Sequence, residues 1–290
     1  MEDQQDRERG EYFFGEPFEA LGNAWAAIYG DSDEEILSNI ATYLPETYPE
    51  KDREAPRNMD PGFSYLVYPE RSPARICFLI ETEGDRNLMA AMYPLLEGWR
   101  ENLETLNFKA WENGLEGMVA ARSGTGKILN FFDPFYAYDS LSFTKGAKSE
   151  FRLAALAFRC EKSSVNELKI TKGPLYEMSL KEFLEKNPDK TAAAFPGAAV
   201  VIQGARMLLP TPYTGEYEFR SIIEEMDEIE FLSKKLYRYK IGLGDRDDAE
   251  PCVYLYAPEN AIKGDAPRIG DDIDGVLWLC GYKTNAPEKY

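Results

Sequence analysis

Apolar positions in this chain recur at helical spacing near the start and at strand spacing further on. In "PFEALGNAWAAIYG", Phe18, Leu21, Trp25 and Ile28 share one helical face and Gly30 supplies a stop, which predicts an amphipathic helix. Ser32 and Glu35 form a capping-box pattern ahead of "EEILSNIATYL", which predicts a second. The runs "FSYLVYP" and "ARICFLIE", joined by the turn-like "PERSP", read as a hairpin. Helical periodicity returns in "DRNLMAAMYPLLEGWRENLETLNF", with Pro94 and Gly98 dividing it.

From Leu115 the period becomes that of strands. "LEGMVAAR" and "KILNFFDPFYAY" flank "SGTG", a glycine-bearing loop of hairpin length. The neighbouring Lys127 suggests a phosphate loop, but the pattern GxxxxGK[ST] fails: Ala121 stands at its first glycine and Ile128 at its hydroxyl position. A strand follows rather than a helix, so no helix N-terminus faces a phosphate. The hairpin is the better reading, with Lys127 at a solvated tip.

A second passage has the same layout. "YRYKIGL", the polar turn "GDRDDAEP" and "CVYLYAPENAI" lead to "IGDDIDGVLWLCGY", as "GMVAAR", "SGTG" and "KILNFFDPFYAY" lead to "GAKSEFRLAALAFRC". In both, a strand ends in aromatics and a proline, and a glycine then opens a long apolar strand carrying a cysteine. These passages form a degenerate internal repeat. Each copy resembles part of a small Greek-key barrel of the OB type, in strand order and glycine placement. The resemblance implies an α+β chain: residues 1–110 an acidic, helix-rich α/β unit, 111–210 a first OB-like barrel with a helical insertion from Ser179 to Lys186, and 211–290 a second OB-like barrel. "TAAAFPGAAVVIQGARMLLPTP" reads as a mostly buried strand with turns, and "EYEFRSIIEEMDEIEFLSKKLYRYKIGL" as the opening strands of the second barrel.

Composition narrows the chemistry. The chain of 290 residues contains no histidine, which removes histidine-dependent nucleophiles, general bases and metal ligation. Cys77, Cys160, Cys252 and Cys280 are widely spaced in apolar segments and read as reduced core thiols, so no metal and no cofactor is expected. No apolar run reaches the roughly 18 residues of a membrane span, and the charged N-terminus does not resemble a signal peptide, so a cytoplasmic protein with no membrane association is expected. The net charge of −18 is uneven. Residues 1–60 hold 16 acids against 5 bases and residues 216–274 hold 16 against 8, while residues 61–215 balance at 18 each. Acidic ends repel nucleic acid and attract basic partners.

Three functions follow. The first is a non-enzymatic interaction protein docking Asp33, Glu34 and Glu35, or Glu224, Glu225, Asp227 and Glu228, on a basic protein partner, with inhibition by nucleic-acid mimicry as one form. The alternative binds a nucleotide or single-stranded nucleic acid through the first barrel, with Phe135 and Tyr136 stacking and Lys145, Lys148 and Arg152 touching phosphates. The third is an enzyme using Glu81, Glu83 or Asp85 at a strand end before a helix. Two acidic turns, Asp245 to Glu250 and Asp271 to Asp274, fall short of a cation loop and read as solvated.

Overall fold

The computed structural model describes residues 20–30, 38–50, 53, 62–244 and 251–284. Strands dominate, arranged in large sheets with few helices. The first helix, α1 (Ala20–Tyr29), ends where expected: the Gly30 amide donates to the Ala26 carbonyl at 2.7 Å with φ of 98°, a left-handed cap that glycine adopts without strain. Trp25 on this helix is buried, and its indole donates to the Met92 carbonyl at 3.0 Å. Truncating a ring so buried costs about 3–5 kcal/mol, which makes Trp25 the main tie of α1 to the sheet below. Residues 38–41 are helical, and the expected Ser32 cap lies outside the described residues.

Beneath α1 lies a four-stranded antiparallel sheet of β1 (Tyr48–Pro49), β2 (Gly62–Tyr68), β3 (Ala74–Glu83) and β4 (Arg86–Leu96), in that order. The expected hairpin is β2–β3. The expected helix from Asp85 to Phe108 is not formed: its residues make β4 and β5 (Trp99–Ala110). Leucine, methionine, alanine and glutamate favour helices locally, but long-range pairing overrides so weak a preference. Pro94, which cannot donate a ladder hydrogen bond, is accommodated because β4 is an edge strand. The described residues among the first 110 are therefore strand-rich rather than helix-rich.

The rest of the chain builds a ten-stranded sheet. Its first strands are β5, β6 (Gly117–Arg122) and β7 (Ile128–Asp133); a short helix α2 (Tyr136–Asp139) leads to β8 (Lys148–Lys162). An insertion carries β9 (Glu167–Ile170), α3 (Pro174–Lys186) and β10 (Ala198–Val201), after which come β11 (Met207–Pro210), β12 (Glu216–Phe231), β13 (Lys234–Gly242), β14 (Cys252–Pro258), β15 (Ile262–Lys263) and β16 (Asp272–Lys283). The "SGTG" segment is the β6–β7 turn, closed by Gly126 donating to Ser123 at 3.0 Å, with Gly126 at φ of 90°. The stretch from Thr191 to Pro212, expected as a mostly buried strand, gives only β10 and β11, both largely exposed.

Pairings close two circuits. One runs β5, β6, β7, β16, β8 and back to β5; the other runs β12, β13, β14, β8, β16 and back to β12. Each circuit takes in three consecutive strands of its own, and both share β8 and β16. Strand β8 is therefore buried on both faces, which explains its unbroken apolar run. Leu153, Ala155 and Ala157 enter the core inside the circuits with Val119, Phe131, Tyr239, Leu255 and Leu277. Ala154 and Leu156 face outward into a second core with Tyr65, Leu79, Tyr93 and Leu95 of the N-terminal sheet. Ladder hydrogen bonds thus cross both expected boundaries, 110/111 and 210/211.

Candidate functional site

Where the edge of the N-terminal sheet meets the outer faces of β5 and β8, a cleft of about 660 Å³ opens. The β2–β3 turn supplies one wall with Glu70, Arg71 and Ser72, and β3 adds Arg75. Glu97 after β4, Arg100 on β5 and Arg152 on β8 complete the lining on the charged side. The Tyr256 hydroxyl lies 3.1 Å from the Pro73 carbonyl and 2.8 Å from the Glu97 carbonyl, and the Glu97 amide donates to the Pro73 carbonyl at 2.7 Å, so one buried side chain anchors this edge of the cleft. In a chain of net charge −18, this cleft presents five guanidinium groups and only three carboxylates.

The arginines differ in how far they are already engaged. Arg75 holds Glu50 at 3.0 Å, with both side chains largely buried. Arg53 is buried, with its guanidinium 4.4 Å from the Phe135 ring centre and 5.5 Å from that of Tyr282; it also donates to the Lys283 carbonyl. Its Nε lies 3.4 Å from Asp139. Arg100 and Arg152 stand directly opposite each other in the antiparallel β5–β8 ladder. Like charges so placed destabilise a sheet. Their counter-charges are loosely held, Glu150 at 3.8 Å from Arg100 and Glu97 at 3.6 Å from Arg152. Gly98 makes this register possible, since a Cβ there would lie 2.4 Å from the Arg152 backbone carbon.

Two acids lie beneath the cleft floor. Asp139 accepts the Lys283 amide at 2.9 Å and Asp133 accepts the Phe135 amide at 2.8 Å. Burial raises the Asp139 carboxyl to about 6 despite the opposing pull of Arg53. Burial first, then the Asp139 charge, pushes Asp133 well above the carboxylate range. Both are fully covered, Asp133 1% and Asp139 0% exposed, so neither meets a ligand, and Asp139 lies beside Arg53.

Of the residues singled out for nucleic-acid binding, Arg152 and Phe135 line the cleft. Phe135 and Tyr136 are buried and pack on Tyr65, Tyr282 and Phe143, so neither offers a free stacking face. The strand alternation that exposes one ring in two is overridden here, because α2 turns the chain under the N-terminal sheet. Lys145 and Lys148 are exposed near the start of β8, and neither lines the cleft. Lys127 is half-buried and donates to the Leu243 carbonyl, which corrects the expectation of a solvated lysine.

The acidic sets fare differently. Asp33, Glu34, Glu35 and the Asp245 to Glu250 turn lie outside the described residues. On β12, Glu224 pairs with Arg206 at 2.6 Å, Glu225 with Lys240 at 3.0 Å, Asp227 with Arg238 at 2.5 Å and Glu228 with Lys235 at 2.8 Å. Much of this stripe is thus neutralised across the β12–β13 hairpin. Asp271 pairs with Lys162, and Asp272 and Asp274 with the buried Arg220, so this turn is ion-paired rather than merely solvated. Among the described residues no group of three or more cysteines and acids is placed to hold a metal. Glu81, Glu83 and Asp85 sit at the tip of the β3–β4 hairpin, where a strand follows rather than a helix.

Sequence reasoning missed Arg53, Arg71, Arg75 and Arg100; the only signal was that bases match acids in the middle of the chain. No protein-family model, curated protein or solved structure matches the chain. Among the described residues no helix is long and apolar enough to cross a membrane.

Proposed function

We propose that the chain is a non-enzymatic binding protein that takes a phosphate-bearing ligand of small-molecule size in the arginine-lined cleft. The observation that carries this reading is the Arg100–Arg152 register. Two guanidinium groups held opposite each other, each with only a distant counter-charge, repel until an anion lies between them. The cleft volume falls within the 300–1,000 Å³ usual for such ligands. In this reading the two circuits are OB-like barrels fused through β8 and β16, and the ligand sits outside them rather than on an aromatic groove. Docking of acidic faces on a basic partner loses most of its β12 half to internal ion pairs, and rests on the acidic N-terminal segment.

The test is a thermal melt with increasing pyrophosphate at fixed ionic strength. The wild-type midpoint should rise with ligand concentration by mass action, whereas an Arg100→Gln/Arg152→Gln variant should not respond. Equal shifts in both proteins would place the binding elsewhere.

A further inference from the structure

Granting that the cleft is an anion site, we infer that it takes a chain of linked phosphoryl groups rather than a single oxyanion, and that it recognises this chain without reading a base. Three cations in the lining remain available to a ligand. Arg75 is paired with Glu50 at 3.0 Å, and Arg53 is buried, donating to the Lys283 carbonyl and lying over Phe135 and Tyr282. Arg71 makes no ion pair among the described residues, and Arg100 and Arg152 have partners only at 3.8 and 3.6 Å, beyond the 2.7–2.9 Å of a charge-assisted hydrogen bond. These three come from both sheets, Arg71 from the β2–β3 turn of one and the Arg100–Arg152 pair from the β5–β8 ladder of the other. A single phosphate has too few oxygens to engage all three guanidiniums bidentately, whereas a chain of phosphoryl groups has enough, and the cleft has room for it at about 660 Å³.

Base recognition is disfavoured by the same geometry. The aromatic residues in the lining are Phe135 and Tyr282, and the Arg53 guanidinium already lies over both rings. Phe135 is moreover only 2% exposed. A nucleobase finds no uncovered ring to stack on, so the phosphate chain itself is the recognised group. Free polyphosphate, a nucleoside triphosphate and a triphosphate end of RNA share this chemistry.

Titration calorimetry on the full chain, at fixed ionic strength, would compare phosphate, pyrophosphate, tripolyphosphate, AMP, ATP, GTP and a short RNA with a 5′-triphosphate. Tripolyphosphate should bind at least about tenfold tighter than phosphate, since each added charge-assisted hydrogen bond is worth about a factor of ten or more. ATP and GTP should fall within about threefold of tripolyphosphate and AMP should resemble phosphate; tighter binding of the RNA than of ATP would identify a nucleic-acid end as the source. Arg71→Gln should weaken tripolyphosphate by about tenfold and leave phosphate unchanged, with an unaltered melting midpoint reporting an intact fold. Phosphate binding as tightly as tripolyphosphate, or ATP binding tightly where tripolyphosphate does not, would overturn the inference while leaving an anion site. Absence of binding by every anion at about 10 mM would overturn both it and the proposed function.

Discussion

Replacing Gly98 with alanine tests the packing on which the cleft depends. A Cβ at this position would lie 2.4 Å from the Arg152 carbonyl carbon, 2.5 Å from the Leu153 nitrogen and 2.8 Å from the Leu153 carbonyl carbon. Ordinary contact begins near 3.4 Å, so the overlap is about 1 Å, and every atom met is backbone. No side chain can swing aside, and β8 cannot retreat because β16 pairs with its other edge, while β14 holds the same edge just beyond β5. Relief must come from opening the β5–β8 ladder, which runs from Trp99–Leu153 to Glu104–Lys148. Overpacking of this kind costs about 1–3 kcal/mol, and loss of ladder hydrogen bonds adds about 1 kcal/mol each. We expect Gly98→Ala to destabilise by about 3 kcal/mol, lowering the melting midpoint by roughly 6–12 °C for a chain of this size. Gly124→Ala in the β6–β7 turn, where an added methyl meets nothing within 4 Å, should stay within about 0.5 kcal/mol. Urea unfolding of the two variants is the assay. Equal stability of Gly98→Ala and wild type would refute the close β5–β8 approach, and with it the Arg100–Arg152 register.

The Asp139 carboxyl ionises at about 6 instead of its ordinary 3.8, so the folded chain holds this proton more tightly than the unfolded one. Its contribution therefore falls as pH rises from about 4 to 6 and is level above; Asp139→Asn should flatten that part of the stability profile, and an unchanged slope would count against the assignment. Burial raises all four thiols, Cys252 to about 11 and Cys160 to about 12, so iodoacetamide at neutral pH should leave the folded chain unlabelled and modify all four cysteines in denaturant. Phe135→Ala should act as a core truncation, costing about 3–5 kcal/mol in urea unfolding. Near-native stability with selective loss of single-strand binding would instead restore Phe135 as a stacking residue.

What the sequence made legible was local. The β6–β7 and β2–β3 hairpins follow from turn residues lying beside the strands they join, and the α1 stop follows from Gly30. The long strands β8 and β16 were legible as apolar runs opened by glycine. Segments β4 and β5 were misread because their composition suits a helix, and nothing nearby reveals that β5 will pair with β8 some fifty residues on. Ladders that cross the expected boundaries were illegible for the same reason, since β8 and β16 serve both circuits and no local pattern announces a shared strand. The cleft was illegible in principle. Arg71, Arg100 and Arg152 are unremarkable in their own segments, and only the long-range ladder makes two of them opposite neighbours.

Charge resolves the tension between the −18 of the whole chain and the proposed anion site on its surface. Long-range repulsion acts over the Debye length, about 8 Å at physiological ionic strength, and beyond that distance the acidic ends are largely screened. Inside the cleft the balance is set by groups within a few ångströms, where guanidiniums outnumber carboxylates. Half-buried charges on low-dielectric walls are screened less than exposed ones. Glu97 tempers this local field, since it lies 3.6 Å from Arg152 and 3.4 Å from Arg238, but it is shared between the two. The acidic exterior then acts on which anions enter. Extended polyanions such as duplex nucleic acid meet repulsion over their whole length, whereas a short phosphate chain that fits within the cleft meets mainly arginine.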